Sequence, residues 1–214
     1  YRYNSLFAWI YAILTNIEKY KDEYQTDVMK SFDLLVKYNI PIAEYAIAKS
    51  QEEAQRIADS IGYPIAMKIA SSQPIHKTEI GGVRLNIPPD AVQQTFTDLL
   101  KSAVKAGIEF EGVIVQQMAK PGIEVIVGIK QDPTFGPIIL VGAGGIYAEI
   151  LKDVSIRICP ITPEDAHSMV SELKSFPLFH ARGKNYDVDA LIDVIMKVNS
   201  IALSNQLKEM DLNP

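Results

Sequence analysis

Five stretches of this 214-residue chain place reactive side chains where they could handle phosphate, a purine or a metal ion. In Ile65-Ala66-Met67-Lys68-Ile69-Ala70 a lysine interrupts an apolar run of β type. Burying an ammonium is costly unless an anion meets it, and phosphate suits a compact point charge. A lysine snorkelling out at a strand edge fits the same pattern. The loop that follows, Ser71 to Gly82, carries His76 and Lys77 and closes on Gly81-Gly82. Paired glycines let backbone N–H groups curl around phosphate oxygens, and a neutral histidine can take a phosphoryl group on a ring nitrogen. No Walker or dinucleotide fingerprint accompanies them, and a surface loop ending in a glycine turn is the plainer alternative.

The third stretch, Val115-Gln116-Gln117-Met118, leads through Pro121-Gly122 to Glu124-Val125. Backbone donors at a strand end can meet a purine edge, and Glu124 could reach a ribose or a metal. An ordinary hairpin corner would read the same. The fourth runs from Gly142-Ala143-Gly144-Gly145 through Glu149 and Asp153 to Arg157. Glycines allow close backbone approach, and arginine offers a planar donor fork for phosphate. A glycine turn with a surface ion pair is the alternative. In the fifth, Glu209, Asp211 and Asn213 alternate onto one face of a strand. Two carboxylates and an amide oxygen are hard ligands suited to magnesium, although a polar strand face needs no metal. His167, His180 and Cys159 have no partner spacing.

These side chains need elements to hold them. Leu6, Ile10, Ile13, Leu14 and Ile17 recur at helical spacing, which predicts a helix over about 5–20, then a polar linker over 21–27. A second helix is expected from Val28 to about Tyr38, capped by Asp27 and stopped at Asn39. A strand over 45–48 precedes a capping box, Ser50 with Glu53, and a helix ending at Gly62. Strands are expected over 65–70, 83–87, 112–118, 124–130, 137–141, 155–161 and 207–212, with Gly142 ending the fifth of these. Helices are expected from Asp90 to about Gly107, from Thr162-Pro163 to before Pro177, and over 188–205, with a polar loop over 180–187. Hairpins and irregular alternation of strands and helices favour an α+β class over a doubly wound parallel sheet.

Composition narrows the field. The chain is 48% hydrophobic and 22% charged, with 21 basic and 26 acidic residues and a formal net charge of −5. That disfavours nucleic acid, which calls for a basic face, but leaves room for a local basic pocket. A single cysteine rules out an internal disulfide framework and fits a reducing cytoplasm. The longest strongly apolar run, Leu6 to Leu14, has nine residues, short of the about 20 that a membrane helix needs. The chain starts at Tyr1 rather than Met and stops at Asn213-Pro214, so it reads as a piece of something longer.

Taken together, Gly62-Tyr63-Pro64 with Lys68, His76-Lys77-Thr78-Glu79-Ile80-Gly81-Gly82-Val83-Arg84-Leu85, Gln116-Gln117-Met118 with Gly122-Ile123-Glu124-Val125-Ile126-Val127-Gly128, Phe135-Gly136-Pro137, Gly142-Ala143-Gly144-Gly145 and Asp211-Leu212-Asn213-Pro214 occur in a familiar order. From about Val28 onward the chain resembles the ATP-grasp domain of ADP-forming acyl-CoA synthetases. The resemblance implies two α+β lobes, about 28–117 and 118–214, with nucleotide between them. Residues 1–27 would connect to a preceding domain. It implies the reaction in which acid, CoA and ATP interconvert with acyl-CoA, ADP and phosphate by way of a phosphohistidine.

By position, the resemblance assigns Lys68, Lys77, Gly81 and Gly82 to nucleotide phosphates, the Gln117–Met118 backbone to adenine and Glu124 to the ribose. Asp211 and Asn213 would hold Mg2+, His76 would relay a phosphoryl group, and Arg157 and Glu149 would stand near the phosphates. Gln117 stands where many members carry Glu, and a further metal-binding Asp is expected beyond Asn213-Pro214, so little activity is expected from these residues alone. The implied cofactors are ATP or ADP and Mg2+. The implied partners are the CoA-binding and ligase domains of the same enzyme, within an oligomer, with no nucleic acid and no membrane. Two rivals share the fold: a non-catalytic regulatory module fused to a lysine acetyltransferase, and a different ATP-grasp ligase.

Overall fold

A computed structural model describes residues 11–15, 28–71, 80–120, 122–144, 153–183, 186–204 and 207–213. They divide into two compact units: residues 43–119 with 28–30, and residues 31–42 and 120–213 with 11–15. The helix expected at 28–38 therefore goes mainly with the second unit, not with the first lobe. All strand pairings in both sheets are antiparallel, and helices pack on them, which is the expected α+β class.

In the smaller unit, strands β2 (Tyr45–Ala48), β3 (Ile65–Ala70), β4 (Val83–Ile87) and β5 (Gly112–Gln117) form a sheet of order β2-β5-β3-β4. Helices α2 (Gln51–Ile61) and α3 (Val92–Lys105) pack on it and on each other. Ile65, Met67, Ile69, Val113 and Val115 meet Ala54, Ala58, Phe96 and Leu99 in one apolar core. Burial of each large side chain is worth about 1.5–3 kcal/mol. Because strand side chains alternate, Ala66, Lys68 and Ala70 lie on the opposite face, and every residue of β3 is buried.

The capping box on α2 is half as expected. The Ser50 hydroxyl accepts from the Glu53 N–H at 3.1 Å. The Glu53 carboxylate, however, accepts from the Lys49 N–H at 2.7 Å, because a glutamate is long enough to reach past the cap. Helix α3 is entered through a short 3-10 turn, Pro89–Ala91, rather than starting at Asp90. It ends where expected, with the Ile108 N–H returning to Ala103 O across Gly107.

In the larger unit, β1 (Tyr11–Thr15), β6 (Val125–Asp132), β7 (Gly136–Ala143), β8 (Val154–Ile158) and β9 (Glu209–Asn213) form a sheet of order β1-β9-β6-β7-β8. Strand β1 corrects the helix expected over 5–20. Its Tyr-Ala-Ile-Leu-Thr sequence pairs along β9 from Tyr11↔Asn213 to Thr15↔Glu209. Pairing with an exposed strand edge outweighs a local helical spacing. The rest of that expected helix, and the linker at 21–27, lie outside the described residues.

Helix α1 (Val28–Lys37) ends as expected at Asn39, which takes φ 54° while the Ile40 N–H closes on Leu35 O at 2.8 Å. Helices α4 (Pro163–Ser171) and α5 (Val188–Leu203) pack on the large sheet. Thr162 and Asp165 form a reciprocal capping box at α4, and the Asp187 carboxylate accepts from the Ala190 N–H at α5. Residues Phe176–Gly183 coil as a 3-10 helix that takes in the first part of the polar loop expected over 180–187. Strand β7 also runs through Gly142, which was expected to break it, because Val154 of β8 packs where a side chain would stand. Among the described residues no helix is long and apolar enough to cross a membrane.

Candidate functional site

Lys68 stands mid-strand in β3 with 8% of its surface exposed. Its ammonium donates to the Gln116 amide oxygen at 2.9 Å. The register pairs Ala66 with Gln116 and Lys68 with Ile114, so the two polar side chains are diagonal neighbours on the face away from the helices. Ala66 and Ala70 flank the lysine on that face with minimal bulk. The lysine is therefore held inside the sheet rather than snorkelling out at an edge.

The expected glycines lie beside it. Val83 pairs with Lys68, and the Ile69 N–H donates to Gly82 O at 3.0 Å. Gly81 takes φ 69°, a conformation that favours glycine, and its carbonyl accepts from Arg84 Nη1 at 2.7 Å. Thus Lys68, Gly81 and Gly82 share one end of the small sheet. His76 and Lys77 lie outside the described residues.

Gln117 and Met118 leave the same sheet. The Gln117 N–H donates to Glu44 O at 2.8 Å and the Met118 N–H to Pro64 O at 3.4 Å. Both expected purine donors are thus engaged within the unit. Pro64 is itself anchored through Tyr63. The Tyr63 hydroxyl donates to Asp59 at 2.6 Å and accepts from Gln55 at 2.9 Å. Burial, and then the Asp59 carboxylate, push this phenol up to about 12.

In the larger unit, register decides which candidates share a face. Gly128 pairs with both Asp211 and Leu140, and Leu140 with Ile156. Ile129 pairs with Met210 and Ile139, and Ile139 with Arg157. Met210 and Ile139 are fully buried, whereas Ile156 is 49% exposed. Asp211 therefore lies on the open face, and Arg157 on the face that the helices cover.

Asp211 is half-buried, and its carboxylate pKa is raised by desolvation and by the Glu209 charge, against a smaller pull from Lys130. Lys130 itself pairs with Glu209 at 3.9 Å. A Cβ on Gly128 would come within 2.6 Å of Asp211 Oδ1, so the glycine makes room for the carboxylate. Asn213 follows two residues later in β9. Among the described residues no three His, Cys, Asp or Glu side chains group as a metal site. Asp211 with an amide oxygen nonetheless suits magnesium, which is commonly held by one or two carboxylates plus substrate phosphates.

Glu124 is exposed at the start of β6. The Gly144 N–H donates to its carbonyl at 2.7 Å, and a Cβ on Gly144 would come within 2.9 Å of the Glu124 backbone. The structure thus joins the expected ribose contact to the glycine run. Glu149 lies outside the described residues. Asp153 serves a turn: its buried carboxylate accepts from the Lys174 and Ser175 N–H groups, each at 2.7 Å.

The Arg157 fork is engaged by Glu172 at 2.9 Å, and Ser155 donates to the same carboxylate. That hydrogen bond, offset in part by burial, raises the guanidinium pKa, and its counterpart lowers that of Glu172. The fork is not brought beside Asp211. Cys159 is buried, which pushes its thiol up to about 11. His167 is exposed on α4, and His180 meets Phe176 edge-on. Two residues given no role from the sequence, Gln116 and Gly128, join the site. The sequence signalled only that a glycine inside a strand can mark a close approach; the place of Gln116 beside Lys68 follows from the register of β3 and β5.

A family model described as an ATP-grasp domain matches residues 19–214. The chain belongs to the ATP-grasp family. Within it, the domain is 44% identical over 205 residues to the β subunit of acetate–CoA ligase (ADP-forming) I from Pyrococcus furiosus, covering 92% of this chain and 88% of that one. It is 45% identical over 188 residues to acetate–CoA ligase (ADP-forming) I from Archaeoglobus fulgidus, where it covers 85% of this chain and only 27% of the relative. The ATP-grasp domain thus spans most of a separate β subunit and about a quarter of a longer single chain.

The solved structure of dinucleotide-forming acetyl-coenzyme A synthetase 1 from Ca. Korarchaeum cryptofilum, in complex with coenzyme A and Ca-AMPCP, superposes with a TM-score of 0.79. It is 36% identical and covers 86% of this chain and 82% of that one. In another structure of that enzyme, with coenzyme A and Mg-AMPPCP (TM-score 0.72, 34% identity, covering 86% of this chain and 81% of that one), a phosphohistidine segment points towards the nucleotide-binding site.

Proposed function

We propose that this ATP-grasp domain is the nucleotide-binding and phosphoryl-transfer part of an ADP-forming acid–CoA ligase. The match across nearly the whole of a β subunit that carries this activity supports the reading most directly. In the overall reaction, ATP gives a phosphoryl group to a histidine, leaving ADP. The histidine passes it to the acid as an acyl phosphate, and CoA displaces phosphate to give acyl-CoA. The CoA-binding and ligase domains, as a separate subunit or another part of a longer chain, would hold acid and CoA. The cytoplasm is the proposed setting.

Phosphoryl transfer needs positioning and charge neutralisation more than covalent chemistry from the protein. Lys68, Lys77 and the Gly81–Gly82 backbone would hold phosphate oxygens, the Gln117–Met118 segment the adenine and Glu124 the ribose. Asp211 and Asn213 would hold Mg2+, which when bound neutralises phosphate charge. His76 would act as a phosphoryl relay, with Glu149 near the phosphates. Arg157, turned to Glu172, is left out of this set and positions α4 instead.

The test is acid- and CoA-dependent ADP release by this chain together with its CoA-binding and ligase domains, over a panel of short acids. His76→Ala should abolish turnover while retaining nucleotide binding. Near-normal turnover of that variant would remove the relay, and absence of any acid-dependent ADP release from the intact enzyme would remove the ligase reading.

A further inference from the structure

We propose that the groove between α2 and α3 docks an acidic amphipathic helix of the CoA-binding and ligase domains. The inference rests on the reading that this chain works with those domains. A cavity of about 490 Å³ opens where the start of α2, at Gln51, meets α3. Phe96, Leu100 and Val104 line it at intervals of four residues and so form one ridge along the helix. Phe96 is 4% exposed and Leu100 packs on the apolar core, but Val104 is 70% exposed. The ridge thus runs out of the core into water. Lys101 and Lys105 line the same groove, each one position on from a ridge residue. The acids at the start of α2 are held at its cap. Glu53 accepts from the Lys49 N–H, and hydrogen bonds from its own backbone N–H and from Ser50 lower the Glu52 carboxylate pKa. Lys101 has an exposed partner in Asp98 at 3.6 Å, whereas Lys105 makes no ion pair among the described residues. Shape and charge select the occupant. With Val104 open to water, a small ligand would lie largely uncovered, unlike one in a closed pocket. A helix laid along the ridge covers it from Phe96 to Val104, about 12 Å, in the helix-in-groove mode. The lysine rim favours acids beside that helix's apolar face. A two-fold contact between copies of this chain would instead bring the lysines of both copies together.

The experiment measures assembly of the full chain with its CoA-binding and ligase domains, by calorimetry, for wild type, Val104→Asp and Lys105→Glu. Thermal midpoint and ADP affinity are the controls. Both side chains are exposed and lie outside the nucleotide set, so the controls should hold. Val104→Asp should weaken assembly about tenfold, the scale of one interface anchor. Lys105→Glu should weaken it about fivefold in about 50 mM salt and much less in about 0.5 M, because salt screens a rim charge. Amides of residues 96–105 should exchange more slowly in the assembly. Unchanged assembly in either variant overturns the proposal: the apolar ridge if Val104→Asp is silent, the acidic partner if Lys105→Glu is. Absence of protection over 96–105 overturns it equally. So does a dimer of this chain alone that Val104→Asp dissolves, since the occupant is then a second copy. If the wild-type chain does not assemble with those domains at all, the partner reading fails, and this inference with it.

Discussion

Lys68 and Asp211 are both charges taken at least partly out of water. Lys68 is buried against a neutral amide oxygen. Asp211 is half-buried beside a like charge, so its ionised form is less favourable folded than unfolded. The sign follows directly: a raised carboxylate pKa makes the ionised group a liability at neutral pH. Asp211→Asn should therefore raise the thermal midpoint at pH 7 without magnesium while weakening magnesium-dependent nucleotide binding. Differential scanning fluorimetry and a magnesium titration measure the two effects, and a lowered midpoint would contradict the first. Gly128→Ala would set a methyl group 2.6 Å from Asp211 Oδ1. Overpacking of this kind costs about 1–3 kcal/mol, and displacement of the carboxylate should reproduce the binding loss of Asp211→Asn without its stabilisation; urea unfolding of both variants checks this. Lysine in an apolar strand and alternating acids near Asn213 were visible as residue types. Gln116 as partner and Gly128 as the space for Asp211 were not, because both depend on the register of strands distant in sequence.

Among elements, the turn after α4 depends on Asp153 more than on anything local. Burial alone would raise this carboxylate, but its hydrogen bonds from Ser175 and Lys174 outweigh that and hold it below its ordinary value of 3.8. A depressed pKa adds stability that is present in full above 3.8 and is lost as pH falls through the folded value. Asp153→Asn should cost about 1.5–3 kcal/mol at pH 7 and flatten the acid side of the stability profile. Denaturation midpoints from pH 7 down to below 3.8 test this, and an unchanged acid limb would count against it. Helix ends at Asn39, Gly62, Gly107 and Thr162 were legible because caps are local chemistry. Strand β1 was not: its apolar spacing is helical, and only the edge of β9 makes a strand the better use of those backbone groups.

Across the whole molecule, each unit carries its own sheet and its own apolar packing. Leu99 is fully buried in the smaller one. Leu99→Ala should cost about 2–5 kcal/mol, and its hydrogen-exchange acceleration should concentrate in residues 43–119. Equal acceleration throughout residues 120–213 would argue against independent cores. The relatives also bear on this scale, since the same domain occurs both as most of a β subunit and as about a quarter of a longer chain. A phosphoryl relay suits such an organisation, because it lets nucleotide chemistry and acid chemistry occupy different domains.

By itself, the sequence determined the α+β class, most element boundaries and the family, because periodicity, caps and ordered motifs are properties of neighbouring residues. It also placed Lys68, Gly81, Gly82, Glu124 and Asp211 among the candidates by type and spacing. Only the tertiary structure decided which of them share a surface. Side chains on a strand alternate, and neighbouring strands align by hydrogen-bond register. A shift of one residue would exchange Asp211 with Leu212 and Arg157 with Ile156 between the two faces of the sheet. That register places Asp211 on the face away from the helices, turns Arg157 to Glu172 and sets Gln116 beside Lys68.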